Sequence, residues 1–196
     1  MQSLLYQRTI IGYHGCDRSV VDKVLLRHAR LEASQNDYDW LGAGIYFWEY
    51  GSSRAWDWAD GISKRRPASV KEPSVIGAHI HLGVCFDLLD IRFTDMLADL
   101  YPSFEHTLQK QGVAVPTNEG SHGSDRDLVR RKLDCAMLNW AIPVIEKELG
   151  VQFQTVRGVF QEGIPAYPGS GILRKSHIQV VVRDKACILG YFLPET

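Results

Sequence analysis

The sequence predicts an α+β fold with a mostly antiparallel sheet. Three β-branched runs, Thr9–Tyr13 (TIIGY), Ser74–Phe86 (SVIGAHIHLGVCF) and His177–Arg183 (HIQVVVR), read as strands. Stretches with helical periodicity lie between them. The resulting order is strand, helix, strand, helix, strand, a helical insert and two further strands, which is not the regular alternation of a parallel α/β sheet. No repeat, low-complexity tract or composition break divides residues 1–196, so a single domain is expected.

Each element has a local reason. The first strand ends at GYHG, Gly12–Gly15, where a turn is expected. Ser19 is placed to cap a helix through VVDKVLLRHAR, with Val20, Val21, Val24 and Leu25 on one face. A short strand is expected over Gly44–Phe47, followed by a helix through RAWDWADGI capped by Ser52 or Ser53. In the long strand, Ile76, Ala78, Ile80 and Leu82 alternate with Gly77, His79, His81 and Gly83, so one face is buried. Ser63–Pro73 and Gly112–Ser124 combine Gly, Pro, Ser and charge and read as loops, the second a candidate for disorder. Asp127–Leu149 keeps a helical period up to Gly150, with Pro143 expected to kink or split it. Gln154–Phe160 is a shorter strand candidate.

Bulk properties narrow the function classes. The chain has 196 residues, 45% of them hydrophobic, enough for a substantial core. Twenty-two basic and 23 acidic residues leave a formal charge of -1, so no global field recruits nucleic acid or a membrane surface. Cys16, Cys85, Cys135 and Cys187 form no CxxC pair, and Cys85 and Cys187 sit in apolar runs, as buried thiols in a reducing compartment do. The N-terminus carries an arginine in its apolar stretch, and no run reaches the roughly 18 apolar residues of a membrane span. A cytoplasmic protein without membrane contact is expected. His79 and His81 share a strand face, but no cysteine or carboxylate stands at a matching short spacing, so no metal is expected.

Two motifs carry chemistry. In GYHG, His14 is followed by Gly15, a pairing that lets a ligand approach bare backbone while the imidazole hydrogen-bonds to it. In LGAGIYFWE, Gly42 and Gly44 open a loop and Tyr46 sits in an aromatic strand; packing of Tyr46 on Phe47 and Trp48 is the alternative. Taken in order, these pieces resemble the ADP-ribosyltransferase family of the diphtheria toxin and poly(ADP-ribose) polymerase type. The match runs through His14-Gly15, Gly44-Ile45-Tyr46-Phe47, Ser53-Arg54-Ala55, the strand IGAHIHLGVCFDLL and EGIPAYPGSGILRKSHIQVVVRD at Glu162–Asp184. It covers most of residues 9–62, 74–90 and 155–193 and leaves a helical insert at about 91–150.

The resemblance implies split antiparallel sheets flanked by helices, and NAD⁺ as substrate. It implies that His14 and Gly15 contact the adenosine-side ribose and the nicotinamide amide, and that Tyr46, opened by Gly44, stacks on the nicotinamide. Arg54 opens the helix whose aromatic, Trp58 with Trp56 as runner-up, covers the other nicotinamide face. Gln179 falls where the family carries a catalytic glutamate. A glutamine keeps the hydrogen bond to the ribose 2′-OH but offers neither negative charge nor a base. His177, Glu162 and Glu49 are the candidates for a separate base. The expected reaction is transfer of ADP-ribose to a macromolecular acceptor, protein or nucleic acid. Rivals are an NAD⁺ glycohydrolase, a non-catalytic NAD- or ADP-ribose-binding module and, last, a tRNA 2′-phosphotransferase, which has the same broad fold but relies on several active-site arginines, where only Arg174 and Arg183 are expected near the cleft. Such a transferase fits a toxin, with an antitoxin partner, a phage-defence effector or a regulatory enzyme. Lys64-Arg65-Arg66 with Lys71, and Arg126 with Arg130, Arg131 and Lys132, read as solvated basic strips.

Overall fold

A computed structural model describes residues 4–120 and 127–195 and has mixed α+β architecture. In chain order the strands are β1 (Leu5–Asp17), β2 (Ile45–Glu49), β3 (Pro73–Asp87), β4 (Asn118–Glu119), β5 (Arg130–Arg131), β6 (Thr155–Phe160), β7 (His177–Val182) and β8 (Ile188–Phe192). The helices are α1 (Arg18–Leu25), α2 (Ser52–Ser63), α3 (Ile91–Lys110) and α4 (Lys132–Leu149). Six strands form one sheet in the order β1-β2-β7-β6-β3-β8, and β1 also pairs with β3, so the sheet curls into a partly closed barrel. The strands expected as split sheets are thus continuous through hydrogen bonds. All pairings are antiparallel except β3 with β6.

Closure is possible because β3 is long enough to serve three neighbours. Residues 73–84 pair with β1, 77–80 also with β8, and 85–87 with β6. Side chains alternate along each strand between two cores. Ile45 and Phe47 of β2 and Val180 and Val182 of β7 join Ile10, Val21, Val24, Ile76 and Ile80 under α1. Tyr46 and Val181 turn the other way, toward Phe86 of β3 and Phe93, Phe104, Leu138, Ile142 and Ile145 of the insert helices.

Several boundaries differ from expectation for identifiable reasons. β1 runs on to Asp17, so His14 lies inside a strand that remains paired with β3, not at a terminal turn. Asp17, not Ser19, caps α1 by accepting from the Ser19 N–H, while its second oxygen takes the Lys71 and Glu72 N–H groups. Ser52 and Ser53 are inside α2, whose cap, Gly51, makes no side-chain bond. α4 begins at Lys132 because Arg130 and Arg131 pair with the 118–119 strand instead, and it runs through Pro143 to Gly150. Three strands, not two, follow the insert, since β8 is short and glycine-interrupted and therefore weak as a pattern. Residues 121–124 of the expected loop, and Arg126 of the basic strip, lie outside the described residues.

All four cysteines are free and buried, and burial pushes the Cys16 and Cys85 thiols up to about 12. Among the described residues no helix is long and apolar enough to cross a membrane, and no group of three His, Cys, Asp or Glu side chains is arranged to hold a metal.

Candidate functional site

A cleft of about 870 Å³ opens where β1 and β2 separate. Their ladder comprises two pairs, Gly12 with Glu49 and Tyr13 with Trp48. At the next position the side chain of His14 replaces the backbone: Nδ1–H donates to the Tyr46 carbonyl across 2.8 Å. A carbonyl only accepts, so Nδ1 carries the hydrogen and Nε2 is left as an acceptor. Burial lowers the imidazole pKa, opposed in part by that bond, so His14 is neutral at pH 7.

Tyr46 offers the cleft its ring and not its hydroxyl. The hydroxyl donates to Gly42 O at 2.7 Å and accepts from Leu41 N–H at 2.8 Å, which pins the loop ahead of β2. Burial drives the phenol pKa well above its usual range. Gly44 is needed there because a Cβ would stand 2.3 Å from Val181 Cγ1. Gly15 also lines the cleft, and its bare Cα is required by helix packing, since a Cβ would lie 2.1 Å from the Ala55 carbonyl oxygen of α2.

The helix so admitted brings Arg54 and Trp58 to the cleft. Trp58 is 43% exposed and Trp56 49% exposed, so neither is helix core, and only Trp58 lines the cleft. Opposite stands Trp48, 6.2 Å from the Trp58 ring and missed as a site residue by sequence reasoning. Its signal was present: residues 46 and 48 share a strand face.

Gln179 reaches the same wall from β7, paired with Trp48 on one side and Gly158 on the other. It is 7% exposed, and its Oε1 has no hydrogen-bond partner. Among the described residues the other buried side-chain atoms without partners are Trp48 Nε1, Arg54 Nε, His177 Nε2 and Arg131 Nε. Trp48, Arg54 and Gln179 line the cleft. His177 packs behind it among Trp40, Trp48 and Phe160, and Arg131 lies over Trp40 and Phe160. Orphaned buried polar atoms are costly and few in folded proteins, so three of them on residues lining one cleft make it the candidate site for a polar ligand.

The three candidate bases separate clearly. Glu162 lines the cleft and is no solvated surface carboxylate: its Oε2 accepts from Arg54 Nη2 at 2.7 Å and lies 3.8 Å from His177 Nδ1. His177 donates Nδ1–H to the Lys175 carbonyl and does not line the cleft; burial lowers its pKa. Glu49 does not reach the cleft. Buried on the far side of its strand, it is held by Arg157, which also binds Asp87.

The insert, given no role by the sequence, supplies Glu119, Gly120, Val129 and Arg130 to the rim, and the 32–40 segment adds Asp39, whose carboxylate is held by Asn36. Arg65 of the basic strip also lines the cleft. Of the two arginines expected near the cleft, Arg183 is tied to Glu146 and Phe153 O in a separate depression, and Arg174 is exposed and outside the cleft lining. The arginines that do line the cleft are Arg54, Arg65 and Arg130. No family model, curated protein or solved structure matches this chain.

Proposed function

We propose that this cleft binds NAD⁺, cleaves its nicotinamide–ribose bond and transfers ADP-ribose to a macromolecular acceptor, protein or nucleic acid. The observation that carries the reading is the meeting of His14, Tyr46 and Gln179, far apart in sequence, along one cleft on the adjacent strands β1, β2 and β7, with the buried Gln179 Oε1 unpartnered. The α+β fold is read, on the sequence resemblance, as ADP-ribosyltransferase-like.

In this reading the Tyr46 ring stacks on nicotinamide and Trp58 closes on it from α2. His14 Nε2 accepts from a ribose hydroxyl, and Gln179 Oε1 accepts from the 2′-OH of the nicotinamide ribose. Holding both halves of the dinucleotide costs entropy once, at binding, and leaves the anomeric carbon exposed to the acceptor. As the glycosidic bond lengthens, its electron pair leaves with neutral nicotinamide and positive charge develops on the ribose. The carbonyl dipole of Gln179, partnered only through the ribose, stabilises that charge less than a carboxylate would. Transfer therefore depends more on the acceptor nucleophile than it does with a glutamate.

Labelled NAD⁺ incubated with the protein and a cell lysate, followed by separate protease and nuclease digestion, tests the proposal. Label held by a macromolecule and removed by one digestion is the expected result. Nicotinamide release with no retained label makes water the acceptor, and NAD⁺-dependent thermal stabilisation without release leaves a binding module.

A further inference from the structure

The Arg54–Glu162 pair crosses from the first turn of α2 to the loop after β6, and both side chains are largely buried, 18% and 16% exposed. Arg54 is incompletely used. Nη2 goes to Glu162, Nη1 lies 3.5 Å from Asp57, and Nε is buried with no partner although the residue lines the cleft. A guanidinium presents a planar fork of donors suited to phosphate oxygens. The other member comes from the loop that follows β6. The β6–β7 ladder ends at Phe160 opposite His177, and Glu162, two residues further, lines the same cleft as Gln179.

Resting on the NAD⁺ reading above, we propose that this ion pair is a phosphate-operated latch. In the free protein Glu162 occupies Arg54. The diphosphate of the incoming dinucleotide competes for the same fork, and two anions crowd one cation until the carboxylate leaves. Glu162, now uncompensated beside the cleft, takes the proton of the acceptor's O–H or N–H group. The acceptor lone pair forms the new bond to the anomeric carbon, the bond to nicotinamide breaks with its electrons going to nicotinamide, and the acceptor proton ends on Glu162. The negative charge absent at Gln179 is thereby supplied from a different position, and only when the donor is bound.

The latch makes a prediction of unusual sign, because a merely structural ion pair would lose ligand affinity when broken. Binding of ADP-ribose, measured by calorimetry, should be about 3- to 10-fold tighter in Glu162→Gln, which frees Arg54, and at least about 10-fold weaker in Arg54→Gln. Glu162→Asp, whose shorter arm loses Arg54, should tighten binding in the same direction and serves if the glutamine variant does not fold. In labelled-NAD⁺ assays Glu162→Gln should lose transfer more than nicotinamide release. Unchanged or weaker ADP-ribose binding in both Glu162 variants, with the parent binding well, overturns the latch and leaves the NAD⁺ reading standing. A parent protein that binds no ADP-ribose sinks both.

Discussion

His14 and Tyr46 are joined by a side-chain to main-chain hydrogen bond, Nδ1–H to carbonyl oxygen, at the point where the β1–β2 ladder stops. The bond fixes the imidazole tautomer and ties β1 to β2 beyond their last backbone pair, so the structural duty of His14 and the binding duty proposed for it can be separated by substitution. His14→Ala should lower stability by about 1 to 2 kcal/mol, the cost of orphaning a partly buried carbonyl, and abolish NAD⁺-dependent thermal stabilisation. His14→Asn, whose amide can replace Nδ1 but not Nε2, should recover the melting temperature and not the NAD⁺ effect.

Tyr46 divides in the same way. Tyr46→Phe keeps the stacking face but leaves the Leu41 N–H and Gly42 carbonyl without their partner. A loss of about 1 to 3 kcal/mol in denaturant unfolding is expected, with NAD⁺ stabilisation retained. Tyr46→Ala should lose both. NAD⁺ binding by Tyr46→Ala equal to the parent's would return the tyrosine to the core.

Gly15→Ala tests what the glycine after His14 is for. Its Cβ would meet the Ala55 carbonyl at 2.1 Å, so α2 must move. Overpacking of this kind costs about 1 to 3 kcal/mol, and the melting temperature should fall without any ligand. A stable Gly15→Ala that has merely lost NAD⁺ binding would favour the ligand-approach role instead.

The pH dependence follows from the two buried histidines. Burial lowers the pKa of His14 and His177 below the ordinary 6.5, so the unfolded chain binds more protons than the native one as pH falls. Stability contributed by the neutral imidazoles is present above about 6.5 and is lost as pH falls below it toward the depressed native values. Melting temperature should therefore drop between pH 7 and 5, above the range where carboxylates titrate. His14→Asn and His177→Asn should each flatten that drop, and an unchanged slope in both would assign it elsewhere.

Much of the candidate site was legible because its parts sit in strongly patterned strands. Gly44–Phe47 and His177–Arg183 showed β-branched and aromatic runs, and counting by twos from Tyr46 reaches Trp48. What stayed hidden depends on tertiary closure. Asp17 outcompetes Ser19 as a cap because it also gathers the Lys71 and Glu72 amides, a contact no local window contains. The role of Gly15 needs α2 against β1, and the rim residues Glu119, Gly120, Val129 and Arg130 need the insert folded back over the cleft. Glu49 looked available beside the tyrosine strand and is consumed by Arg157, which is 108 residues away.

Nicotinamide release from NAD⁺ by the parent protein and by Gln179→Ala, followed in the presence of cell lysate, tests the central claim most directly. The parent should release nicotinamide, and Gln179→Ala should do so about 10- to 100-fold more slowly, equivalent to the roughly 1 to 3 kcal/mol of one transition-state hydrogen bond, at a parental melting temperature. No release by the parent at saturating NAD⁺, or equal rates in the two proteins, would contradict the account.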